Sequence, residues 1–485
     1  MFRLMTVNLS SRKIKPDFKN FGESIMKKLF ERFYSVNALL VVASAIVICN
    51  STTTIFAQKK SGVQIDFKEY KLKNGLRVIL SEDHSAPVIS LNVSYDVGAR
   101  NEKPGRGGFA HLFEHMMFKG SENVGAGEHF YQVFSAGGYL NGFTFYDVTH
   151  YFDVLPANQL EMALFLEADR MKSLVINEKN LKNQIDAVKE ERRERVFNQP
   201  YGSSDVKQIE LVYDDYPYGH LLHGSEAQLE AASVKDVADF FKTYYAPNNA
   251  YLILVGDFKT NEAFPLIKKY FEKIPASSIA PPKVEMKEPF NKGEQRAAIE
   301  DPLARLARVS VGFKAPAGNT ADFYAMTAVS SILGGGQSSR LFQTLVKEKQ
   351  LATTVFTNLE ERRGPSFFKI TAILRPGVKP ELLESAIYEE IEKMTGQAVA
   401  DWELEKAKNS EKTTFLNFIG RVQHRSLFLG HYAVFYNEPN LVNTRLEKIN
   451  RVTAKDVQLA ARKYLGKDNR VVITTVPKRD EKSTV

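Results

Sequence analysis

The sequence predicts a mixed α/β protein built from two similar halves. From about residue 64, apolar runs of strand length alternate with helical stretches and glycine-containing turns. An internal repeat indicates the two halves, because Lys235-Asp236-Val237 recurs as Lys455-Asp456-Val457, 220 residues later. Two more residues recur at this offset: Tyr244 as Tyr464, and Asn249 as Asn469. Chance similarity of two helix–strand junctions is the alternative, but the matches hold one register throughout.

Several elements of the N-terminal half are predicted from local patterns. A hairpin is expected to turn at Asn74-Gly75, since this dipeptide favours tight turns between strands. A strand is expected over residues 88–97, and another after the glycines at 137–138. Helices are expected over residues 160–171 and from residue 178 into the charged cluster that ends at residue 195.

Composition and charge describe an ordinary globular protein. The chain has 485 residues, of which 44% are hydrophobic and 25% are charged. Its formal net charge is +8, but residues 1–57 carry eight Lys/Arg and three Asp/Glu, and so contribute +5 of it. The remainder of the chain therefore carries only +3, and we expect no nucleic-acid partner.

The first 57 residues are typical of an export signal. A basic stretch at 27–32 precedes a mainly apolar stretch of twelve residues, 38–49, which is too short to span a bilayer. Cleavage is expected after Ala57, and Met26 is an alternative start of translation. These features predict an exported, most simply periplasmic, protein whose mature chain is not inserted in a membrane. Retention of the leader as a membrane anchor is the alternative.

The strongest chemical signal is the run His111-Leu112-Phe113-Glu114-His115. On a helix the two histidines, four residues apart, lie on one face and can bind one zinc ion together. Glu114 lies close enough to act on a water held by that ion. The H-x-x-E-H order is that of inverted zincins. A helix with two surface histidines and a solvated glutamate is the alternative interpretation.

A hydrolytic zinc site needs a third protein ligand and one open position. The acidic stretch near residue 190, Glu190-Glu191-Arg192-Arg193, is the best local candidate for the missing ligand. Taken alone, this stretch is equally typical of a solvated helix surface with ion pairs.

Residues 62–480 resemble the pitrilysin/insulinase family of inverted-zincin peptidases. They resemble most its bacterial two-domain members, which are related to the mitochondrial processing peptidase. Four stretches carry the resemblance: Gly108–Gly120 around the two histidines, Gly137–Thr144, Glu190–Arg193, and Asn198–Gly202. The resemblance implies an α+β fold of two homologous α/β sandwich halves, each a mostly antiparallel sheet with helices packed on it.

The resemblance also implies the roles of the site residues. It assigns His111, His115 and Glu191 as ligands of one zinc ion per chain, with Glu190 as the register alternative for the third ligand. Glu114 would be the general base. Gln184 stands where the family has a glutamate beside the site, so the charge around the ligands is expected to be reduced.

The strand that contains Asn141 and Gly142 resembles the edge strand to which family members add peptide substrates. Self-sufficient members also carry an arginine and a tyrosine in the second half that hold the substrate carbonyl. The matching positions here are Val346 and Thr353, unless the register is shifted by a few residues. Because neither side chain replaces those groups, we expect a homodimer, or a heterodimer with a non-catalytic homologue that supplies them.

The sequence thus predicts a zinc metalloendopeptidase that hydrolyses unfolded peptides in an enclosed chamber. The expected organisation is a leader (1–57), a catalytic domain (62–275), a linker (276–294) and a homologous non-catalytic domain (295–480). A non-catalytic assembly subunit and a peptide-binding protein of the same fold are the alternatives, but the complete H-x-x-E-H motif favours the enzyme.

Overall fold

A computed structural model describes residues 63–286 and 293–478, which form two mixed sheets covered by helices. The predicted leader lies outside the described residues, as does part of the predicted linker. The described part of that linker, residues 276–286, contains neither helix nor strand. No helix within the described ranges is long and apolar enough to cross a membrane.

The first sheet has six strands in the order β1-β2-β6-β3-β5-β4. Its strands are β1 (Lys68–Lys71), β2 (Arg77–Glu82), β3 (Val88–Tyr95), β4 (Tyr139–Thr144), β5 (Thr149–Pro156) and β6 (Ala250–Gly256). Only β2 and β6 pair in parallel, and all the other neighbours are antiparallel. The predicted hairpin at Asn74-Gly75 is confirmed, since β1 pairs with β2 and Gly75 adopts φ +91° in the turn.

The second sheet has five strands in the order β7-β11-β8-β10-β9. Its strands are β7 (Gln295–Asp301), β8 (Arg308–Ala315), β9 (Ala352–Glu360), β10 (Ser366–Leu374) and β11 (Arg470–Pro477). The parallel pair β7–β11 corresponds to β2–β6, and the three antiparallel pairs follow in the same order as in the first sheet. This correspondence confirms the prediction of two similar halves with mostly antiparallel sheets.

Fourteen α-helices cover the two sheets within the described residues. In the N-terminal half they are α1 (Phe109–Met116), α2 (Glu128–Ser135), α3 (Leu160–Lys172), α4 (Glu178–Arg192), α5 (Gly202–Val212), α6 (Glu226–Glu230), α7 (Val234–Tyr244) and α8 (Thr260–Phe271). In the C-terminal half they are α9 (Ala321–Gly334), α10 (Pro380–Gly396), α11 (Asp401–Ile419), α12 (Val422–Tyr436), α13 (Leu441–Arg451) and α14 (Ala454–Tyr464).

The repeated sequence marks the same structure in both halves, the end of α7 before β6 and the end of α14 before β11. The side-chain amide of Asn249 donates to the carbonyl oxygen of Tyr244 at 2.8 Å, and that of Asn469 donates to the carbonyl oxygen of Tyr464 at 2.7 Å. Each asparagine therefore fixes the turn between helix and strand, which explains why it recurs.

Each half also packs a helix on the sheet of the other half. From the C-terminal half, α12 packs on β6 of the first sheet and buries Leu429 against Ile253. From the N-terminal half, α5 packs on β11, where Val212 shares a core cluster with Ile473. The two sheets are thereby held in one compact unit. This exchange of helices is not encoded in any local pattern.

Candidate metal centre

Helix α1 carries the two histidines, and a buried glutamate fixes its N-terminus. Glu102 accepts hydrogen bonds from the backbone N–H groups of Gly108 and Ala110 at 2.8 and 2.7 Å. A carboxylate is favourable there because the first N–H groups of a helix have no partner within it. Gly108 adopts φ +87°, and a Cβ at this position would approach the carbonyl oxygen of His223 to 2.6 Å. The helix start therefore requires glycine.

Helix α4 brings Glu191 to the two histidines. The Nε2 atoms of His111 and His115 lie 3.6 and 3.0 Å from Oε2 of Glu191. Ligands about 2.0–2.1 Å from a tetrahedral zinc ion are separated from one another by about 3.3 Å, so the three atoms fit such an ion. Glu190 is 59% exposed and pairs with Arg193 instead. The geometry therefore favours Glu191 over its register alternative.

The charge states of these side chains suit a metal. Burial lowers the pKa of His111, which keeps its imidazole neutral. The hydrogen bond from His115 lowers the pKa of Glu191, which keeps its carboxylate ionised. Arg195 holds the other oxygen of Glu191 at 2.8 Å. Metal ligands must be deprotonated, and His111 and Glu191 already are at neutral pH.

Glu114 lies between α1 and the edge strand β4. The hydroxyl of Thr144 donates to Oε2 of Glu114 at 2.6 Å. Burial raises the pKa of the Glu114 carboxyl to about 7, although the bond from Thr144 opposes this shift. A Cβ at Gly142 would come within 3.1 Å of Cγ of Glu114, so the strand passes directly beside the carboxylate. A carboxyl with this pKa can both accept and return a proton near neutral pH.

These groups line an open cavity of about 530 Å³. The cavity also contains Gln184, which is buried, and Asn141, whose Oδ1 accepts a hydrogen bond from the N–H of Gly142 at 3.0 Å. The full lining comprises His111, Glu114, His115, Phe118, Lys119, Phe130, residues 141–145, Gln184, Glu191, Arg195, Leu222 and His223. All the sequence-predicted site residues are thus brought to one cavity.

Sequence reasoning missed four side chains around the site. Arg195 and His223 line the cavity, and the ring of His223 lies 4.6 Å from that of His111. Glu102 and His220 act from behind α1, where His220 Nε2 contacts Oε2 of Glu102 at 2.8 Å. The chain has only nine histidines, and this scarcity was the one sequence feature that could have drawn attention to His220 and His223.

A second buried group of side chains of the types that bind metals comes from α2, α3 and β5. His129, Asp153 and Glu167 place ligand atoms within 4.8 Å of one another. Arg170 is fully buried beside them and pairs with Glu167, its Nε lying 3.0 Å from Oε2. The guanidinium already supplies a cation to this cluster, which disfavours a metal ion there.

The C-terminal half contributes no side chain to the cavity among the described residues. Val346 lies in a π-helical segment (Phe342–Glu348) and packs against the core of the second half. The hydroxyl of Thr353 donates to the carbonyl oxygen of Ile373 at 3.2 Å. Neither residue reaches the candidate metal centre.

Two family models match the chain. The model described as Insulinase (Peptidase family M16) matches residues 77–206, and the one described as Peptidase M16 inactive domain matches residues 231–411. The zinc protease PqqE of Helicobacter pylori is 33% identical over 389 residues, which are 80% of this chain and 86% of the relative.

Another relative and a solved structure indicate the same kind of protein. A probable mitochondrial-processing peptidase subunit beta of Arabidopsis thaliana is 23% identical over 408 residues, covering 81% of this chain and 75% of the relative. The crystal structure of a protease from Helicobacter pylori superposes with a TM-score of 0.81 at 30% identity, covering 86% of this chain and all of that one.

Proposed function

Because the chain belongs to peptidase family M16, the insulinase family, we propose that it is a zinc-dependent endopeptidase. The observation that carries the proposal is the approach of His111, His115 and Glu191 to one point beside the buried carboxyl of Glu114. A non-catalytic role would not require a neutral imidazole, an ionised carboxylate and a carboxyl of raised pKa at one cavity.

In this proposal His111, His115 and Glu191 are ligands of one zinc ion and take no other part. When bound, the ion supplies the Lewis acidity that polarises the scissile carbonyl and acidifies water. Glu114 accepts a proton from the attacking water and returns it to the leaving amine. Thr144 fixes one carboxylate oxygen of Glu114, and Gln184 borders the ligands without adding charge.

The substrate would bind along the exposed side of β4. Among the described residues β4 pairs only with β5, so its other edge can pair with an added strand. Main-chain pairing selects extended, unfolded peptides rather than a particular sequence. Asn141 and Gly142 lie on β4 beside Glu114 and would contact the peptide near the scissile bond.

A partner subunit is part of the proposal. The cavity is open, and the positions expected to hold the substrate carbonyl, Val346 and Thr353, lie outside it. A second copy of the chain or a non-catalytic homologue would enclose the substrate, and the homologue would also supply the missing arginine and tyrosine. The division into a catalytic domain (62–275) and a homologous domain (295–480) belongs to the same proposal.

Export to the periplasm is proposed from the leader alone. A basic stretch followed by twelve mainly apolar residues and a cleavage position after Ala57 supports secretion of the mature chain. An uncleaved leader would instead tether the same catalytic unit to the membrane.

The test is cleavage of an unstructured peptide mixture by the zinc-loaded mature chain, with Glu114→Gln as the inactive variant and Glu190→Gln as the matched control. We expect one zinc per chain in all three proteins, and turnover in the parent and the control, either alone if two copies of the chain suffice or with an added homologue. Loss of turnover in Glu114→Gln with zinc retained supports the proposal.

Two other outcomes are informative. A zinc-loaded chain that is inactive alone, but active with an added homologue carrying the arginine and tyrosine, would support the partner. A chain that binds no zinc would contradict the enzyme and favour a non-catalytic assembly or peptide-binding subunit.

A further inference from the structure

A second cavity, of about 420 Å³, adjoins the candidate metal centre across strand β4. Phe143 and Phe145 line both cavities, so these two side chains separate neighbouring spaces at the edge of the first sheet. The remaining walls of the second cavity come mainly from α11 and α12 of the C-terminal half. Its principal aromatic side chains are Phe143, Phe145, Phe415, Phe418, Phe428 and Tyr432.

The second cavity lies on the face of the edge strand that points away from Glu114. Gly142 and Thr144 face Glu114 on α1. Tyr139, an odd number of residues away from them, points to the other face, where its hydroxyl donates to Gln423 of α12 at 2.9 Å. Successive side chains of an added strand would alternate in the same way, because the side-chain period of a strand is two. One set would face α1, and the other set would face the aromatic cavity.

The mouth of the aromatic cavity is accessible from this edge. Phe145 is 52% exposed and Phe418 is 43% exposed, although both are large apolar side chains. Exposed aromatic groups that surround a concave site are typical of ligand-binding surfaces. The volume is within the range of about 300–1,000 Å³ seen for small-ligand pockets, which is ample for one large side chain.

The polar groups of this cavity are largely neutralised. Arg445 pairs with Glu361 at 3.2 Å, and the hydroxyl of Tyr436 donates to the same carboxylate at 2.7 Å. Burial lowers the pKa of His150 to about 3 and that of His431 to about 4, so both imidazoles are uncharged at neutral pH.

The remaining polar side chains of the lining are those of Glu411, Thr414, His424 and Tyr432. Burial raises the pKa of the Glu411 carboxyl, which opposes its ionisation. The half-buried ring of His424 lies against Phe418, with 4.9 Å between the ring centroids. An uncharged side chain is therefore favoured as the occupant, since no strong unpaired charge attracts a substrate charge.

We propose that this aromatic cavity is a specificity pocket that receives one large apolar side chain of the peptide substrate. The inference rests on the proposed peptidase function and assigns the C-terminal half of the same chain a direct role in substrate selection. The occupant is a residue such as phenylalanine or leucine, an odd number of positions from the residues that face α1.

The test is a set of peptides with a polar, flexible background in which a single position carries either phenylalanine or alanine. The parent is expected to cleave the phenylalanine peptide about tenfold faster or more when the residue reaches the pocket, since apolar pockets discriminate on this scale. In Phe418→Ala this ratio should fall towards one. Phe356→Ala is the matched control, because Phe356 is 46% exposed on β9 and lies outside the cavity.

A binding measurement separates failure of the pocket from failure of the proposed function. Fluorescence anisotropy with the Glu114→Gln variant should show that the phenylalanine peptide binds more tightly than the alanine peptide. The double variant that carries both Glu114→Gln and Phe418→Ala should bind the two peptides equally. If the parent cleaves no peptide but this difference in binding is present, the proposed peptidase function is contradicted and the proposed pocket is supported. Equal ratios in the parent and in Phe418→Ala, or a preference for a charged residue, would overturn the pocket.

Discussion

Thr144→Val tests whether the edge strand orients the proposed general base. Valine has nearly the same shape as threonine, so the substitution removes the hydroxyl while it preserves most of the packing around Glu114. The lost bond is short, 2.6 Å, and both of its partners are buried. Hydrogen bonds to charged groups contribute about 1.5–3 kcal/mol. If this bond acts mainly in the transition state, turnover should fall roughly 10- to 150-fold.

The assay is the rate of peptide cleavage by the parent, Thr144→Val and Thr144→Ser, with zinc content measured on the same samples. Serine restores the hydroxyl and should recover most of the rate. Zinc content should be nearly unchanged, since Thr144 makes no hydrogen bond to His111, His115 or Glu191, whereas the midpoint of thermal unfolding should fall by a few degrees because the lost bond joins two buried groups. Parent-like turnover of Thr144→Val would refute the orienting role, as would an equal loss of zinc and activity.

Three further perturbations follow from the described contacts. Glu191→Gln should weaken zinc binding by at least tenfold in a competition titration, because it removes an anionic ligand; Glu190→Gln should not, and equal effects would contradict the assigned register. Glu102→Ala should lower the free energy of unfolding by about 3 kcal/mol in urea titrations, since it leaves two buried N–H groups unpaired; a change below about 1 kcal/mol would count against this capping. Burial raises the pKa of Asp153 to about 6, so its stabilising contribution is present below pH 4 and is lost as the pH rises through 6. The free energy of unfolding should therefore fall less between pH 4 and 7 in Asp153→Asn than in the parent, by up to about 3 kcal/mol. The same pH dependence of the unfolding free energy in the two proteins would exclude this.

Local chemistry made much of the N-terminal half predictable. A spacing of four residues places His111 and His115 on one helical face whatever the rest of the chain does. The turn at Asn74-Gly75 and the strand after the glycines at 137–138 depend on backbone preferences that neighbouring residues set. The recurrence of Asn249 as Asn469 revealed the two halves because the same turn needs the same side-chain amide.

The sequence by itself therefore determined the pair of histidines and the carboxyl between them, because these residues are close together in the chain. It also determined the two-half architecture, because the same local turn recurs 220 residues later. The family resemblance pointed to Glu191 and left Glu190 as the alternative. Only the tertiary structure shows which glutamate of α4 faces the histidines, since adjacent helical residues point about 100° apart and the helix rotation is set by packing. It alone placed His223 at the cavity and α12 on the first sheet. Such contacts join residues more than a hundred positions apart, and burial in a common core, not local preference, selects them.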